Sequence, residues 1–282
     1  MMHLRALQRR QGDWPHDRYP FSLPILQEFT SLEFRVPLTF LVGDNGSGKS
    51  TILEALACVV GLPTVGSAPL HSDPTLQAVH ELADQLKGVW NRRTRVGFFL
   101  RAEDFFGYVK RLSAMNEELV EDWERTEVEY ADRSPQARGL ARMAYARELK
   151  ALKEQYGEGG LSAASHGESY LQLFQARFRP GGLYLLDEPE APLAPLRQLA
   201  FVKLLHQSLA ADAQFVIATH SPILLAYPEA AILSCDGGTL REVAYDALEA
   251  VLLLRDFLNE PTNFLHHLLK ENNQSERADS GY

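Results

Sequence analysis

Residues 43–51 read GDNGSGKST. Gly43, Gly46 and Gly48 are spaced so that the backbone can curl with its N–H groups pointing inward. Lys49 adds a full positive charge for the β- and γ-phosphates of a nucleotide, and Ser50 places a hydroxyl where it can ligate Mg²⁺. With Asp44, Asn45, Ser47 and Thr51 these residues complete the phosphate-loop pattern G-x-x-x-x-G-K-[ST]. A second chemical group is the carboxylate pair Asp187 and Glu188 in "LYLLDEPE". Asp187 can hold Mg²⁺, directly or through water, and Glu188 can polarise an attacking water. The third is "IATHSP", where His220 can hydrogen-bond a γ-phosphate or orient the water.

Each group needs an element to position it. Leu38–Val42 is a short apolar run, predicted as a buried strand that delivers the loop. Ile52, Leu53, Leu56, Val59 and Val60 then give a helix face, which Gly61 and Pro63 end. That helix points its positive N-terminal end at the same spot as Lys49. The apolar run 183–186 predicts a parallel strand ending in the carboxylate pair, where open α/β sheets bind ligands. Gln214–Ala218 predicts another, ending just before Thr219, His220 and Ser221.

Composition narrows the class. The chain has 282 residues, 45% hydrophobic and 23% charged, with a net charge of −9. That is ordinary globular composition. No apolar run is long enough to span a bilayer, and the first residues lack the apolar core of a secretory signal. The two cysteines, Cys58 and Cys235, lie far apart without metal-ligand spacing. They point to a reducing compartment, and the expected location is cytoplasmic. The acidic balance does not indicate nucleic acid, although a local patch such as "NRRTR" can coexist with it.

The ordered set "GDNGSGKST", "SHGES", "LYLLDEPE" and "IATHSP" resembles the ABC-type P-loop ATPases. That superfamily includes transporter nucleotide-binding domains and SMC- and RecF-like DNA-maintenance ATPases. More closely, the chain resembles small stand-alone bacterial ATPases of the AAA/ABC type. The likeness runs from about residue 21 to about residue 234. "SHGES" stands where the family has its LSGGQ signature: Ser165 matches the signature serine, Gly167 its second glycine and Glu168 its glutamine. His166 replaces a glycine, and Ala164 takes the leucine position. The resemblance implies that this segment reaches across a head-to-tail homodimer to the γ-phosphate held by the other subunit. The family's glutamine between the phosphate loop and the helical lobe is missing. Glu103, as a glutamine-loop substitute reaching Mg²⁺ or water, or Arg101, reaching phosphate, stands in its place. For a purine base, Tyr19 or Phe21 offers a ring to stack on.

The middle of the chain is rich in charge. "MNEELVEDWERTEVEY" and "QARGLARMAYARELKALKEQY" predict two helices broken at "DRSP", with Tyr145, Leu149, Leu152 and Tyr156 as an apolar seam on the second. "DGG" at 236–238 predicts a hairpin turn. The expected fold is therefore α/β: a P-loop, ABC-ATPase-like mixed sheet in one domain over 1–282, with a helical lobe inserted at about 104–180. The expected function is Mg²⁺-dependent ATP binding and hydrolysis that gates head-to-tail dimerisation, in a soluble ATPase of the non-transport branch with a client protein that the sequence does not specify. Two alternatives stand beside it: the energising subunit of a membrane transporter, and a nucleotide-gated binding module with negligible turnover.

Overall fold

The computed structural model describes residues 2–65, 77–130, 132–137, 140–141, 143, 145–147 and 166–278. The chain divides into two compact units, Met1–Arg241 and Glu242–Tyr282.

The first unit carries two sheets. Strands β1 (Leu4–Arg9), β2 (Ser31–Glu33) and β4 (Leu86–Trp90) form an antiparallel sheet in the order β2-β1-β4. Strands β3 (Leu38–Val42), β5 (Gly97–Arg101), β6 (Leu183–Asp187), β7 (Gln214–Ala218), β8 (Ala231–Ser234) and β9 (Arg241–Glu242) form a larger sheet in the order β5-β6-β7-β3-β8-β9. Every residue of β3, β6 and β7 is buried, as a parallel strand covered on both faces requires. The three strands expected from sequence are therefore present, with β6 running one residue further to include Asp187. A buried side chain joins the two sheets. Gln214 Oε1 accepts the backbone N–H groups of His3 (2.9 Å) and Leu4 (2.8 Å), and Gln214 Nε2 donates to the Leu4 carbonyl (2.8 Å).

Helices pack around this frame: α1 (Pro24–Gln27), α2 (Lys49–Val60), α3 (Gln77–Asp84), α4 (Ala102–Glu129), α5 (His166–Arg177), α6 (Pro195–Ala210) and α7 (Pro222–Leu225). Helix α2 ends as expected at Gly61, which turns left-handed (φ 70°) and donates to the carbonyls of Ala57 and Cys58. Aromatic rings seat α5 against its neighbours: Phe174 lies 4.7 Å from Phe201 on α6, and Phe178, just past the end of α5, lies 5.1 Å from Phe215 on β7. The hairpin at Asp236–Gly238 is present as a tight 3₁₀ turn between neighbouring strands β8 and β9.

One expectation needs correction. The first charged helix does not begin near residue 115. It is a single helix of 28 residues that starts at Ala102, directly after β5, and ends before Tyr130. Glu103 and Asp104 occupy its first turn, where acidic side chains favour helix initiation, so no loop separates strand from helix. The seam on the second charged segment lies outside the described residues from Leu149 onward, as does Ser165.

The second unit, by itself, holds helices α8 (Glu249–Asn259) and α9 (Pro261–Ala278). Phe257 and Phe264 meet edge to face at 5.9 Å, and Arg255 Nη2 donates to Asp246 Oδ1 at 2.6 Å. Among the described residues, no helix is long and apolar enough to cross a membrane.

Candidate functional site

The strand register lines up the chemistry. Arg101 pairs with Asp187 across β5 and β6, Asp187 with Ala218 across β6 and β7, and Ala218 with Leu41 across β7 and β3. One row across the parallel sheet therefore holds the ends of four strands. The phosphate loop, the carboxylate pair and the switch segment all leave the sheet along the same edge. Strands in a sheet lie about 4.8 Å apart, so the two-strand step from β3 to β6 is about 10 Å.

The loop is fully formed. Gly43 (φ 144°) has no space for a side chain, because a Cβ there would sit 2.8 Å from both Asp236 Oδ1 and Ser47 Oγ. Gly48 (φ 96°) caps α2 in a left-handed conformation, and a Cβ there would meet Ile25 Cγ2 at 2.7 Å. Among the described residues no side chain caps the start of α2, so its first N–H groups can bind an anion. Lys49 is buried, and its Nζ donates to the carbonyls of Gly43 (2.7 Å) and Asp44 (2.9 Å). Asn45, Gly46, Gly48, Lys49, Ser50 and Thr51 line a cleft that also includes Glu188 and Tyr19. Tyr19 is half exposed and hydrogen-bonds Thr51 Oγ1 at 3.3 Å, whereas Phe21 is buried edge to face against Trp14. Of the two aromatic candidates, only Tyr19 faces the cleft.

The acidic side is built from buried side chains. Ser50 and Asp187 line one cleft, which joins the two groups expected to hold Mg²⁺. Burial pushes Asp187 up to about 6; the Ser50 hydroxyl opposes the rise, Glu188 adds to it, and Arg101 and Lys49 lower it. Asp187 Oδ1 is buried without a hydrogen-bond partner among the described residues. A cation beside it would satisfy that atom. Among the described residues, no cluster of three His, Cys, Asp or Glu could enclose a metal. Two protein oxygens, with phosphate and water completing the shell, suit Mg²⁺, which keeps several non-protein ligands. The residues present therefore fit the ion.

Glu188 sits in a left-handed conformation (φ 48°) that non-glycine residues rarely adopt, and its N–H donates to Ala218 O at 2.9 Å. This turn places Glu188 Oε1 3.9 Å from His220 Nε2. Glu103 projects largely into solvent, 77% exposed, and reaches Arg101 Nη1 at 3.5 Å. It lines a second cleft with Ser50, Glu54, Arg101, Asp187 and Glu188. Arg101 is the better buried of the two glutamine-loop candidates and pairs with Glu54 at 3.3 Å. Gly167 and Glu168 lie in the first turn of α5, and Glu168 pairs with Arg197 of α6 at 3.7 Å.

Sequence reasoning passed over three residues. Asp236 accepts the Asp44 N–H at 2.8 Å and so braces the loop from 192 positions away. Glu54 is pushed by burial up to about 7, with Arg101 opposing the rise. Its spacing of four from Ser50 on one helix face was a readable signal. Glu190 accepts the His220 N–H at 2.8 Å. Burial pushes the Cys58 thiol up to about 11 and the Cys235 thiol up to about 12, which favours the protonated form of both.

Comparison with known proteins gives two family matches. Residues 21–75 match a model described as "AAA domain", and residues 92–226 match one described as "AAA domain, putative AbiEii toxin, Type IV TA system". The macrolide export ATP-binding/permease protein MacB of Chromobacterium violaceum is 29% identical over 211 residues, covering 74% of this chain; the chain spans 30% of that protein's length. Among solved structures, cbiO1 from Clostridium perfringens, part of an ABC transporter complex, is 14% identical over 96% of this chain and 100% of that one, with a TM-score of 0.49. The Smc head domain from Pyrococcus furiosus is also 14% identical, over 91% of this chain and 100% of that one, with a TM-score of 0.47. The phosphate loop lies inside the first of these AAA-domain matches, and Asp187, Glu188 and His220 lie inside the second.

Proposed function

We propose that this protein binds ATP with Mg²⁺ and hydrolyses it, and that ATP holds two copies head to tail until hydrolysis releases them. The observation that carries the reading is that Ser50, at the start of the phosphate-loop helix, and Asp187, at the end of the carboxylate strand, line one cleft with Glu188. It supports a single site with a phosphate cradle on one side and an acid pair on the other.

In this reading the free N–H groups of residues 43–51 hold the β- and γ-phosphates. Lys49 leaves the carbonyls of Gly43 and Asp44 and turns its ammonium to the same oxygens. Ser50 and Asp187 hold Mg²⁺, which when bound neutralises charge on the phosphate oxygens. Glu188 takes the proton of the attacking water, and His220 orients that water and the γ-phosphate. Tyr19 stacks on the base. Ser165, Gly167 and Glu168 of one subunit face the γ-phosphate held by the other. The helical lobe at about 104–180 is inserted in a single cytoplasmic ATPase domain that acts on an unidentified client.

Phosphate release and size exclusion with ATP and Mg²⁺ test the reading. The wild type should turn over, and Glu188→Gln should retain ATP and elute as a dimer. Equal near-zero rates in both proteins, with ATP still bound, would instead identify a nucleotide-gated binding module. The similarity to an export ATP-binding/permease protein favours a second reading, the energising subunit of a transporter. Co-purification with a membrane protein would support it over the non-transport branch.

A further inference from the structure

Glu190 lies two residues past Glu188, and the mechanism above gives it no task. It is nevertheless tightly held. Its Oε1 accepts the backbone N–H of His220 at 2.8 Å. Thr219 Oγ1 accepts the N–H of Ser221 at 3.0 Å. One carboxylate on the turn after β6 therefore holds the segment after β7 at the His220 amide. That segment carries His220, whose ring lies 3.9 Å from Glu188.

The other oxygen, Oε2, is buried with no hydrogen-bond partner among the described residues. The hydroxyl of Tyr170, on α5, is in the same condition. Tyr170 is fully buried, edge to face against Phe105 (4.3 Å) and Phe174 (4.7 Å), and the Glu190 carboxylate acts on it electrostatically. A buried donor and a buried acceptor left unpaired in one neighbourhood are each costly, so an arrangement that pairs them is favoured. Helix α5 begins within the SHGES segment.

We propose that Glu190 is a positioning residue for His220, and that Tyr170 is its contact on α5, so that movement of that helix is felt at the switch. Glu190 touches no reacting atom. It sets where the His220 ring stands relative to Glu188, and the Tyr170 hydroxyl closes onto Oε2 when α5 shifts. The proposal rests on the hydrolysis reading for its kinetic consequence but not for its geometry.

The test uses the full chain with Glu190→Ala, Glu190→Gln and Tyr170→Phe. Gln keeps an oxygen for the His220 N–H but loses the charge. Glu190→Ala should lower kcat roughly tenfold, the size of one charge-assisted hydrogen bond, with the ATP Kd unchanged within about twofold. Glu190→Gln should restore most of the rate. In the nucleotide-free protein, the NMR signal of the His220 ring should move in Glu190→Ala and stay in place in Glu190→Gln and Tyr170→Phe. With ATP bound, Tyr170→Phe should move it. Equal deficits in Ala and Gln would overturn the positioning role in favour of simple charge, and an unmoved ring signal with ATP in Tyr170→Phe would overturn the link to α5. Should Glu190→Ala not fold, Gln and Tyr170→Phe still decide. If the wild type itself shows no turnover, the hydrolysis reading fails while the ring signals continue to judge Glu190.

Discussion

The two halves of the site are built in opposite ways. The phosphate loop is made of backbone and is already held in shape: Lys49 is bonded to two loop carbonyls, Asp44 is braced by Asp236, and Gly43 and Gly48 sit where no side chain fits. The acidic half is made of buried side chains and is left unsatisfied. Among the described residues, Asp187 and Glu190 each have an unpartnered oxygen, and burial raises both together with Glu54. A preformed cradle costs little reorganisation when an anion arrives. An electrostatically strained acid cluster is relieved by a cation. The pairing of the two is what a metal-bound polyphosphate would complete.

Breaking the acidic half should have the largest effect. Glu188→Gln should lower ATP turnover about 10²- to 10⁴-fold in a phosphate-release assay, with ATP affinity retained. Breaking the cradle should act on binding instead. Lys49→Ala removes charge-assisted contacts and should weaken ATP about 10- to 100-fold by fluorescence titration, with a comparable loss of turnover only at low ATP.

The pH response should separate the halves further. A carboxyl raised by burial favours its protonated form in the fold. Its contribution to stability is therefore present at low pH and is lost as pH rises through about 6 for Asp187 and about 7 for Glu54. Thermal melts of the nucleotide-free protein should show that loss, and Asp187→Asn should reduce it. Metal binding has the opposite sign, since it needs Asp187 ionised. Affinity for ATP with Mg²⁺ should fall by about tenfold per pH unit below about 6, and that dependence should flatten in Asp187→Asn.

The smallest effect sharpens the description of the cradle. Gly43→Ala should destabilise the protein, because its Cβ meets the Asp236 carboxylate and the φ of 144° strains it. Adding Asp236→Ala should recover part of the roughly 1–3 kcal/mol lost, as read by thermal or denaturant unfolding.

Much of this was legible because the central strands are buried on both faces. The runs at 183–186 and 215–218 are unbroken and apolar, and each ends abruptly in chemistry. The loop motif and the Asp187–Glu188 pair stood out for the same reason. What stayed hidden depends on contacts between distant segments. Nothing near Asp236 announces that it bonds Asp44, and nothing near Glu190 announces the His220 amide. Arg101 stood in the sequence only as an alternative to Glu103 for reaching phosphate, and the strand register sets it beside Asp187. The helix start at Ala102 was missed because the family pattern led to an expected loop, while Glu103 and Asp104 were already the acidic first turn of a helix.

The central claim is that cradle and acid pair hold one metal-bound triphosphate, and a double-mutant cycle on Lys49 and Asp187 tests it most directly. Dissociation constants for ATP with Mg²⁺ would be measured by calorimetry for the wild type, Lys49→Ala, Asp187→Ala and the double variant. The account predicts that the two losses fail to add, with a coupling of about 1 kcal/mol or more. Strict additivity, or an Asp187→Ala protein that binds as tightly as the wild type, would contradict it.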